Sequence, residues 1–286
     1  MDLLTLSTFC AVVEEGGVLA AAKSQHTVQS NITSRIRKLE ASLGVDLFFK
    51  QGRKLNLTPQ GRVLLDYANK MLQLERQARA AVQNMSECAG ELRIGTMESF
   101  AALRLPEVML RLREVYPNLQ LQVQSGTSRA LLDAVQRHEL DCAFVSGDVE
   151  QPNIKHVEIL NEKLVLVRKR GVAHPKQTIL FREGCAYRDK AIEWSKRQPD
   201  TYNMMEMGTL EGILGCVSVG LGVTLMPSSV IDQCMFAADV EVIDVADDLA
   251  HSPTYLIYHE QMADLTGLAQ LSRPLGVLKR EGLRSQ

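Results

Sequence analysis

Seven polar and basic residues crowd into ten positions: Gln29, Ser30, Thr33, Ser34, Arg35, Arg37 and Lys38. Their chemistry suits the edges of a DNA duplex. A glutamine amide bonds adenine at two atoms, serine and threonine hydroxyls reach several base edges, and arginine or lysine binds phosphate or guanine. Gln51-Gly52-Arg53-Lys54 is a tight turn whose two cations suit phosphate contacts or insertion into a minor groove. A second group sits at the starts of predicted helices: Thr96-Met97-Glu98-Ser99, Gly126-Thr127-Ser128 and Gly208-Thr209. Free N–H groups and the helix dipole attract anions at such starts. Ser99, Thr127 and Thr209 are therefore candidate hydroxyl donors to a small organic anion. Glu98 repels a carboxylate and suits an amine or hydroxyl instead. Simple capping of their own helices is the alternative role for these residues.

The first group needs a helix to present it. Leu3, Leu6, Phe9, Val12 and Val13 recur at helical steps and predict a helix over 3–15, ended by Gly16-Gly17. A short Ala-rich helix over 18–24 and a turn at 25–27 follow. Thr27 is expected to cap a third helix over about 28–43, which Gly44 ends. Ile32, Ile36, Leu39 and Leu43 form its apolar stripe, leaving the polar and basic set on the other side. In a helix-turn-helix the second helix enters the major groove and reads bases with its N-terminal residues. Residues 45–50, the basic turn and Leu55-Asn56-Leu57 predict a hairpin, or wing. Thr58-Pro59 opens a long fourth helix to about residue 86. Leu64, Met71, Ala78 and Met85 recur every seven residues, with Tyr67, Leu74 and Ala81 three further on. That spacing predicts a coiled-coil seam and a dimer, with packing on the protein's own core as the alternative.

Charge separates the two ends of the chain. Residues 35–62 carry seven basic residues against two acidic, a local +5 within a net charge of -2, which leaves -7 on the rest. A polyanion met by one end only fits that asymmetry, and an ordinary solvated face is the alternative. The 286 residues allow two or three folding units. At 45% hydrophobic and 23% charged, the chain is too apolar for disorder and too interrupted by charge for a membrane span. With no basic leader at the N-terminus, the expected location is cytoplasmic.

From residue 91 strands alternate with helices. Strands are expected at 92–95, 119–124, 140–145, 164–168 (after a polar connection), 178–181, 240–245 and 254–258. Helices are expected at 101–115, 129–138, 187–197, 210–219 and, closing the chain, 262–280; Gly220–Pro227 forms a turn and a short strand. Such alternation argues for an α/β domain with mainly parallel sheets.

These pieces resemble the LysR-type transcriptional regulators over essentially the full length. The resemblance is carried by Phe9 with Ala21-Ala22, by Gln29-Ser30-Asn31-Ile32-Thr33 running into Ile36-Arg37-Lys38-Leu39-Glu40, and by Leu43-Gly44-Val45, Leu47-Phe48 and Leu57-Thr58-Pro59-Gln60-Gly61. Leu92-Arg93-Ile94-Gly95, Tyr116-Pro117, Leu140-Asp141 and Gly220–Pro227 continue it. It implies an α-rich winged helix-turn-helix over 1–58, a dimerising linker helix over 59–88, and an effector domain over 89–286. That domain would hold two α/β subdomains like those of a periplasmic binding protein, one of about 91–163 and 261–286, the other of about 164–260. Implied partners are double-stranded promoter DNA, a small organic effector, RNA polymerase and further copies of the chain, as homodimer or homotetramer. The resemblance adds Ser146 and the segment 182–186, with Cys185, to Glu98, Ser99, Thr127, Ser128 and Thr209 as the effector cleft. Gln25, where the family has a buried leucine, and Val28, where it has a serine, depart from the pattern.

Other chemistries find little support. The six cysteines lack C-x-x-C spacing and the six histidines are dispersed, so no metal or cofactor is expected. Cys185 is either a cleft-lining thiol or a redox sensor, since thiolates near helix N-termini acidify. Arg188 suits a subdomain ion pair or the ligand. Gly220-Leu221-Gly222 lacks the full G-x-G-x-x-G pattern, and no P-loop or nucleophile elbow occurs, so an enzyme is not expected. A small-molecule carrier without DNA function is the rival class, and the basic N-terminal unit counts against it.

Overall fold

A computed structural model of the chain describes residues 1–51, 54–83, 90–171, 176–263 and 267–275. The chain divides into an N-terminal unit, Met1–Glu87 with Arg137–Glu139, and a larger unit, Cys88–Gln136 with Leu140–Gln286.

The N-terminal unit runs α1 (Leu3–Glu14), α2 (Val18–Ser24), α3 (Gln29–Leu43), β1 (Phe48–Gln51), β2 (Lys54–Leu57) and α4 (Pro59–Gln83). Its core joins Leu6, Phe9 and Val12 of α1, Ala21 and Ala22 of α2, and Ile32, Ile36 and Leu39 of α3, with Leu47 and Ala68. The i, i+4, i+7 spacing of the α3 residues puts that stripe on one side and leaves the polar face outward. The cap of α3 is Val28, not Thr27. Val28 has extended backbone and makes no side-chain cap bond, while the Thr27 hydroxyl accepts from the Asn31 amide at 3.0 Å. Gly44, at φ +70°, ends α3 in the left-handed conformation that glycine adopts without a side-chain penalty. The Glu40 carboxylate accepts the N–H groups of Leu47 (2.9 Å) and Phe48 (3.4 Å), which fixes where the antiparallel β1–β2 hairpin begins. Thr58 caps α4 by accepting from Gly61 N at 2.9 Å.

The heptad positions of α4 divide. Leu64 packs into the N-terminal core, beside Leu65 and Leu72. Tyr67, Met71 and Leu74 stand 58%, 39% and 65% exposed. The Ala81 side chain and Met85 lie outside the described residues.

The larger unit runs β3 (Gly90–Thr96), α5 (Glu98–Leu103), α6 (Leu105–Val115), β4 (Leu119–Ser125), α7 (Ser128–Gln136), β5 (Cys142–Ser146), β6 (Ile154–Lys169), β7 (Gln177–Leu180), α8 (Ala186–Lys196), β8 (Asn203–Glu206), α9 (Leu210–Ser218), β9 (Thr224–Pro227), α10 (Ser228–Gln233), β10 (Val240–Asp244), α11 (Asp247–Ala250), β11 (His251–His259) and α12 (Leu268–Leu271). Strand order in the large sheet is β10-β6-β11-β5-β3-β4, with β9 also beside β6. The sheet is mixed rather than mainly parallel: β3 pairs parallel with β4 and β5, whereas β11, β10 and β9 meet their neighbours antiparallel. β7 and β8 form a separate parallel pair.

Two packed lobes share this sheet. One core joins Leu92, Ile94, Phe100, Leu112, Phe144 and Leu256, with the Phe100 and Phe144 rings stacked at 4.2 Å. The other joins Leu164, Val167, Ile179, Ile213, Leu214 and Met226. β6 serves both. Its first part pairs with β11 through Lys163, and its last part pairs with β10 and β9. The polar connection expected before residue 164 is thus the first half of a 16-residue strand. The helix expected over 101–115 breaks into α5 and α6 at Arg104. The closing helix expected over 262–280 is not continuous in the described residues: Gly267 is left-handed and α12 spans four residues; 264–266 and 276–280 lie outside them.

Candidate functional site

The outer face of α3 is one open concavity lined by Gln29, Ser30, Thr33, Ser34, Arg37, Lys38 and Ala41. The helix repeat places these side chains together because 29, 33 and 37, and 30, 34 and 38, lie four apart. Thr33 turns its hydroxyl hydrogen back onto Gln29 O at 3.0 Å, so its oxygen offers only lone pairs outward. Arg35 is not on this face. It is half-buried, and its guanidinium donates to Thr8 Oγ1 of α1 at 3.2 Å. Thr8 also contacts Gln25 Oε1 at 3.2 Å. Gln25 therefore meets a polar partner, and Arg35 completes a bridge between α1 and α3. Arg53 and the side chain of Lys54 lie outside the described residues; β2 begins at Lys54.

The second site is a cleft of about 190 Å³ between the two lobes of the larger unit. It is lined by Met97, Glu98 and Ser99 from the start of α5, Ser125 to Ser128 from the β4–α7 turn, Phe181, Arg182, Cys185 and Tyr187 around the start of α8, and Gly208 before α9. Strand ends and helix starts converge there, as in other open α/β sheets. Five of the expected residues line it: Glu98, Ser99, Thr127, Ser128 and Cys185.

Two expected residues do not. Ser146 is buried with its hydroxyl held by Ser252 Oγ (2.7 Å) and Pro253 O (2.8 Å), at the β5–β11 pairing. Thr209 caps α9 by accepting from Gly212 N at 3.1 Å. Arg188 is tied within its own lobe to Phe181 O and to Glu206, both at 2.6 Å.

The cleft residues are strongly organised. Ser128 Oγ accepts from Ser146 N at 3.1 Å. Glu98 Oε1 accepts from Leu210 N at 3.0 Å, so a carboxylate of the first lobe sits at the N-terminus of α9 in the second. The exposed Arg182 guanidinium lies across Gly208, where a Cβ would come within 2.5 Å of its Nη2.

Behind the cleft lies a polar chain that the sequence did not disclose. Ser99 Oγ meets Tyr187 OH at 3.1 Å, Tyr187 OH meets Glu162 Oε2 at 3.4 Å, and Ser229 Oγ donates to Glu162 Oε1 at 2.8 Å. Ser99, Tyr187 and Glu162 are all buried. Burial pushes the Glu162 carboxyl above its ordinary range, against the opposing pull of the Ser229 hydrogen bond, the Arg104 charge and the Tyr187 hydrogen bond. Burial and the nearby Glu162 charge raise the Tyr187 phenol.

Cys185 is the N-cap of α8. Burial raises its thiol, outweighing the N–H groups of Tyr187 and Arg188 that favour the thiolate. The acidified thiolate expected of a redox sensor is therefore not what this site produces. Among the described residues, Cys10, Cys142, Cys185, Cys216 and Cys234 form no disulfide. Among the described residues no cluster of His, Cys, Asp or Glu is arranged to hold a metal ion, and no single helix is long and apolar enough to cross a membrane.

The bacterial regulatory helix-turn-helix model of the lysR family matches residues 3–62, and the LysR substrate binding domain matches residues 86–272. The chain belongs to the LysR family of DNA-binding transcriptional regulators. Its relatives in that family include the HTH-type transcriptional regulator GltR of Bacillus subtilis (strain 168), 38% identical over 242 residues and 81% of each chain. The HTH-type transcriptional regulator CzcR of Bacillus anthracis is 36% identical over 248 residues, 84% of this chain and 85% of its own. Among solved structures, a full-length OxyR variant from Pseudomonas aeruginosa superposes with a TM-score of 0.70 at 21% identity, covering 95% of this chain and 93% of that one. Full-length CbnR complexed with its target DNA gives 0.64 at 22%, covering 94% and 97%. These two likenesses show the LysR fold: a helical N-terminus and a two-lobed domain on a mixed sheet.

Proposed function

We propose that this LysR-family regulator reads duplex promoter DNA with the outer face of α3 and changes its action at the promoter, including contact with RNA polymerase, when a small organic anion enters the cleft. The observation that carries the reading is the division of α3. Ile32, Ile36 and Leu39 are buried, while Gln29, Ser30, Thr33, Ser34, Arg37 and Lys38 line one open face. Gln29 and Ser30 address base edges, Arg37 and Lys38 address phosphates, and Arg53 and Lys54 of the wing add further cations. Tyr67, Met71 and Leu74 supply an apolar seam on α4 that supports pairing with a second copy, as a dimer or within a tetramer. In the cleft, Ser99, Thr127 and Ser128 with Arg182 serve as the groups that hold the effector, and Glu98 limits how much negative charge it carries.

A gel shift on the chain's own promoter across a salt series tests the DNA reading. Phosphate contacts require affinity to fall steeply with salt. Gln29→Ala should lose about 1–3 kcal/mol at the preferred site and little on random DNA. Equal loss on both sequences, or no loss on either, refutes base reading by α3.

A further inference from the structure

We propose that Glu162, Tyr187 and Ser99 form a hydrogen-bond chain that couples binding of an anion in the cleft to uptake of one proton at Glu162. This rests on reading the cleft as the effector site.

The argument is a count of hydrogens. An ionised carboxylate only accepts, and each hydroxyl has one hydrogen to give. With Glu162 ionised, Ser229 donates to Oε1 and Tyr187 donates to Oε2. The phenol hydrogen is then spent. The 3.1 Å contact between Ser99 and Tyr187 must use the Ser99 hydrogen. Ser99 therefore presents only lone pairs to the cleft and repels an anionic oxygen.

Protonation of Glu162 at Oε2 reverses the chain. The carboxylic acid donates to Tyr187, Tyr187 donates to Ser99, and the Ser99 hydrogen is released towards the cleft, where it donates to an anion. No bond other than O–H changes. One proton is drawn from solvent for each anion bound, and the buried site exchanges no other charge.

The surroundings allow Glu162 to take either form. Arg104, at the α5–α6 junction, favours the carboxylate, as do the hydroxyls of Ser229 from α10 and Tyr187 from α8. Burial, with Glu162 only 7% exposed, favours the acid. From β11 the residue in register is the uncharged Ser252. Cys185 and, beyond it, Glu98 are the other ionisable groups around Tyr187. Lys163 points to the opposite side of the pleat and pairs with Asp244 at 2.6 Å.

The test uses the full-length protein and two probes whose charge is constant over the range, sulfate and methanesulfonate. Binding is followed by fluorescence of Trp194, the one tryptophan, which shares α8 with Tyr187. Calorimetry in buffers of different ionisation heat counts the protons taken up. The expected result is a dissociation constant that rises about tenfold per pH unit once Glu162 is ionised, with close to one proton taken up per anion. Glu162→Gln and Tyr187→Phe should both flatten that profile, and melting curves confirm that each is folded; the phenylalanine keeps the ring against Phe181. Binding that is independent of pH, or a wild-type profile that persists in Glu162→Gln, overturns the chain while leaving the cleft as an anion site. Failure of both probes to bind at any pH removes the anion site itself, and the proton coupling with it.

Discussion

The Glu98 carboxylate accepts the backbone N–H of Leu210 at 3.0 Å, joining α5 of one lobe to the first residue of α9 in the other. Thr209 satisfies another donor of that first turn, Gly212 N. The chain thus places its own carboxylate at the start of α9, beside the cleft. Glu98→Gln should keep the bond in weaker form and remove the charge. Affinity for sulfate, measured by titration, should rise severalfold while the melting temperature changes little. Weaker sulfate binding in Glu98→Gln would mean that the carboxylate helps rather than hinders the ligand.

Arg35 offers a contrast with Arg37 that separates folding from DNA binding. The Arg35 guanidinium leans onto α1 and donates to Thr8, whereas Arg37 lines the open face of α3. Arg35→Ala should cost about 1–3 kcal/mol of stability, as expected for a part-buried bond to a charged group. Arg37→Ala should leave the melting curve in place and weaken binding to all DNA sequences, with a shallower salt slope. Urea unfolding and a filter-binding salt series on the two variants decide between these assignments. Equal effects of both substitutions in both assays would contradict them.

The close approach of Arg182 to Gly208 has a simple consequence. A methyl group at 208 would meet Nη2 at 2.5 Å and drive the guanidinium away from the cleft mouth. Gly208→Ala should therefore resemble Arg182→Gln: anion affinity falls about tenfold in each, and the double variant is no worse than either. Additive losses in the double variant would show that the two residues act separately.

Glu162 also ties stability to pH. Its carboxyl is raised in the folded chain relative to the unfolded one. The sign follows from proton binding: the folded state holds this proton to higher pH, so the contribution is fully present below the unfolded value and is lost as pH rises through the folded one. Glu162→Gln removes that dependence. The stability of the variant relative to wild type should climb with pH across this window and level off above it. Paired thermal melts at closely spaced pH values test the sign, and a variant that falls relative to wild type with rising pH would reverse it.

The N-terminal unit was highly legible because its side chains follow one period. Ile32, Ile36 and Leu39 mark the inside of α3, and the residues between them mark the outside. Arg35 was misplaced because a four-residue repeat cannot tell a solvated arginine from one that leans onto the neighbouring helix to reach Thr8. The Val28 cap was missed because Thr27 is the better capping side chain, yet its hydroxyl is taken by Asn31. In the larger unit, β6 was half hidden by an irregularity. Its register shifts opposite Thr254 and Tyr255, so the buried Ile159 and Glu162 lie three apart and strict alternation is broken. A buried glutamate in an unrecognised strand gives no sequence signal, and with it went the Glu162–Tyr187–Ser99 chain. Ser146, at the end of β5, and Thr209, before α9, have the right residue type beside the cleft. Local sequence does not show the Ser252 and Pro253 oxygens or the Gly212 N–H that claim their hydroxyls.

A single ribbon, β6, is woven into both halves of the ligand-binding portion. The halves are consequently joined by strand and not by a slack tether: β6 passes from its ladder with β11, at Lys163, straight into its ladder with β9, at Leu164. Movement of one half against the other must therefore turn the backbone of β6 between residues 163 and 164.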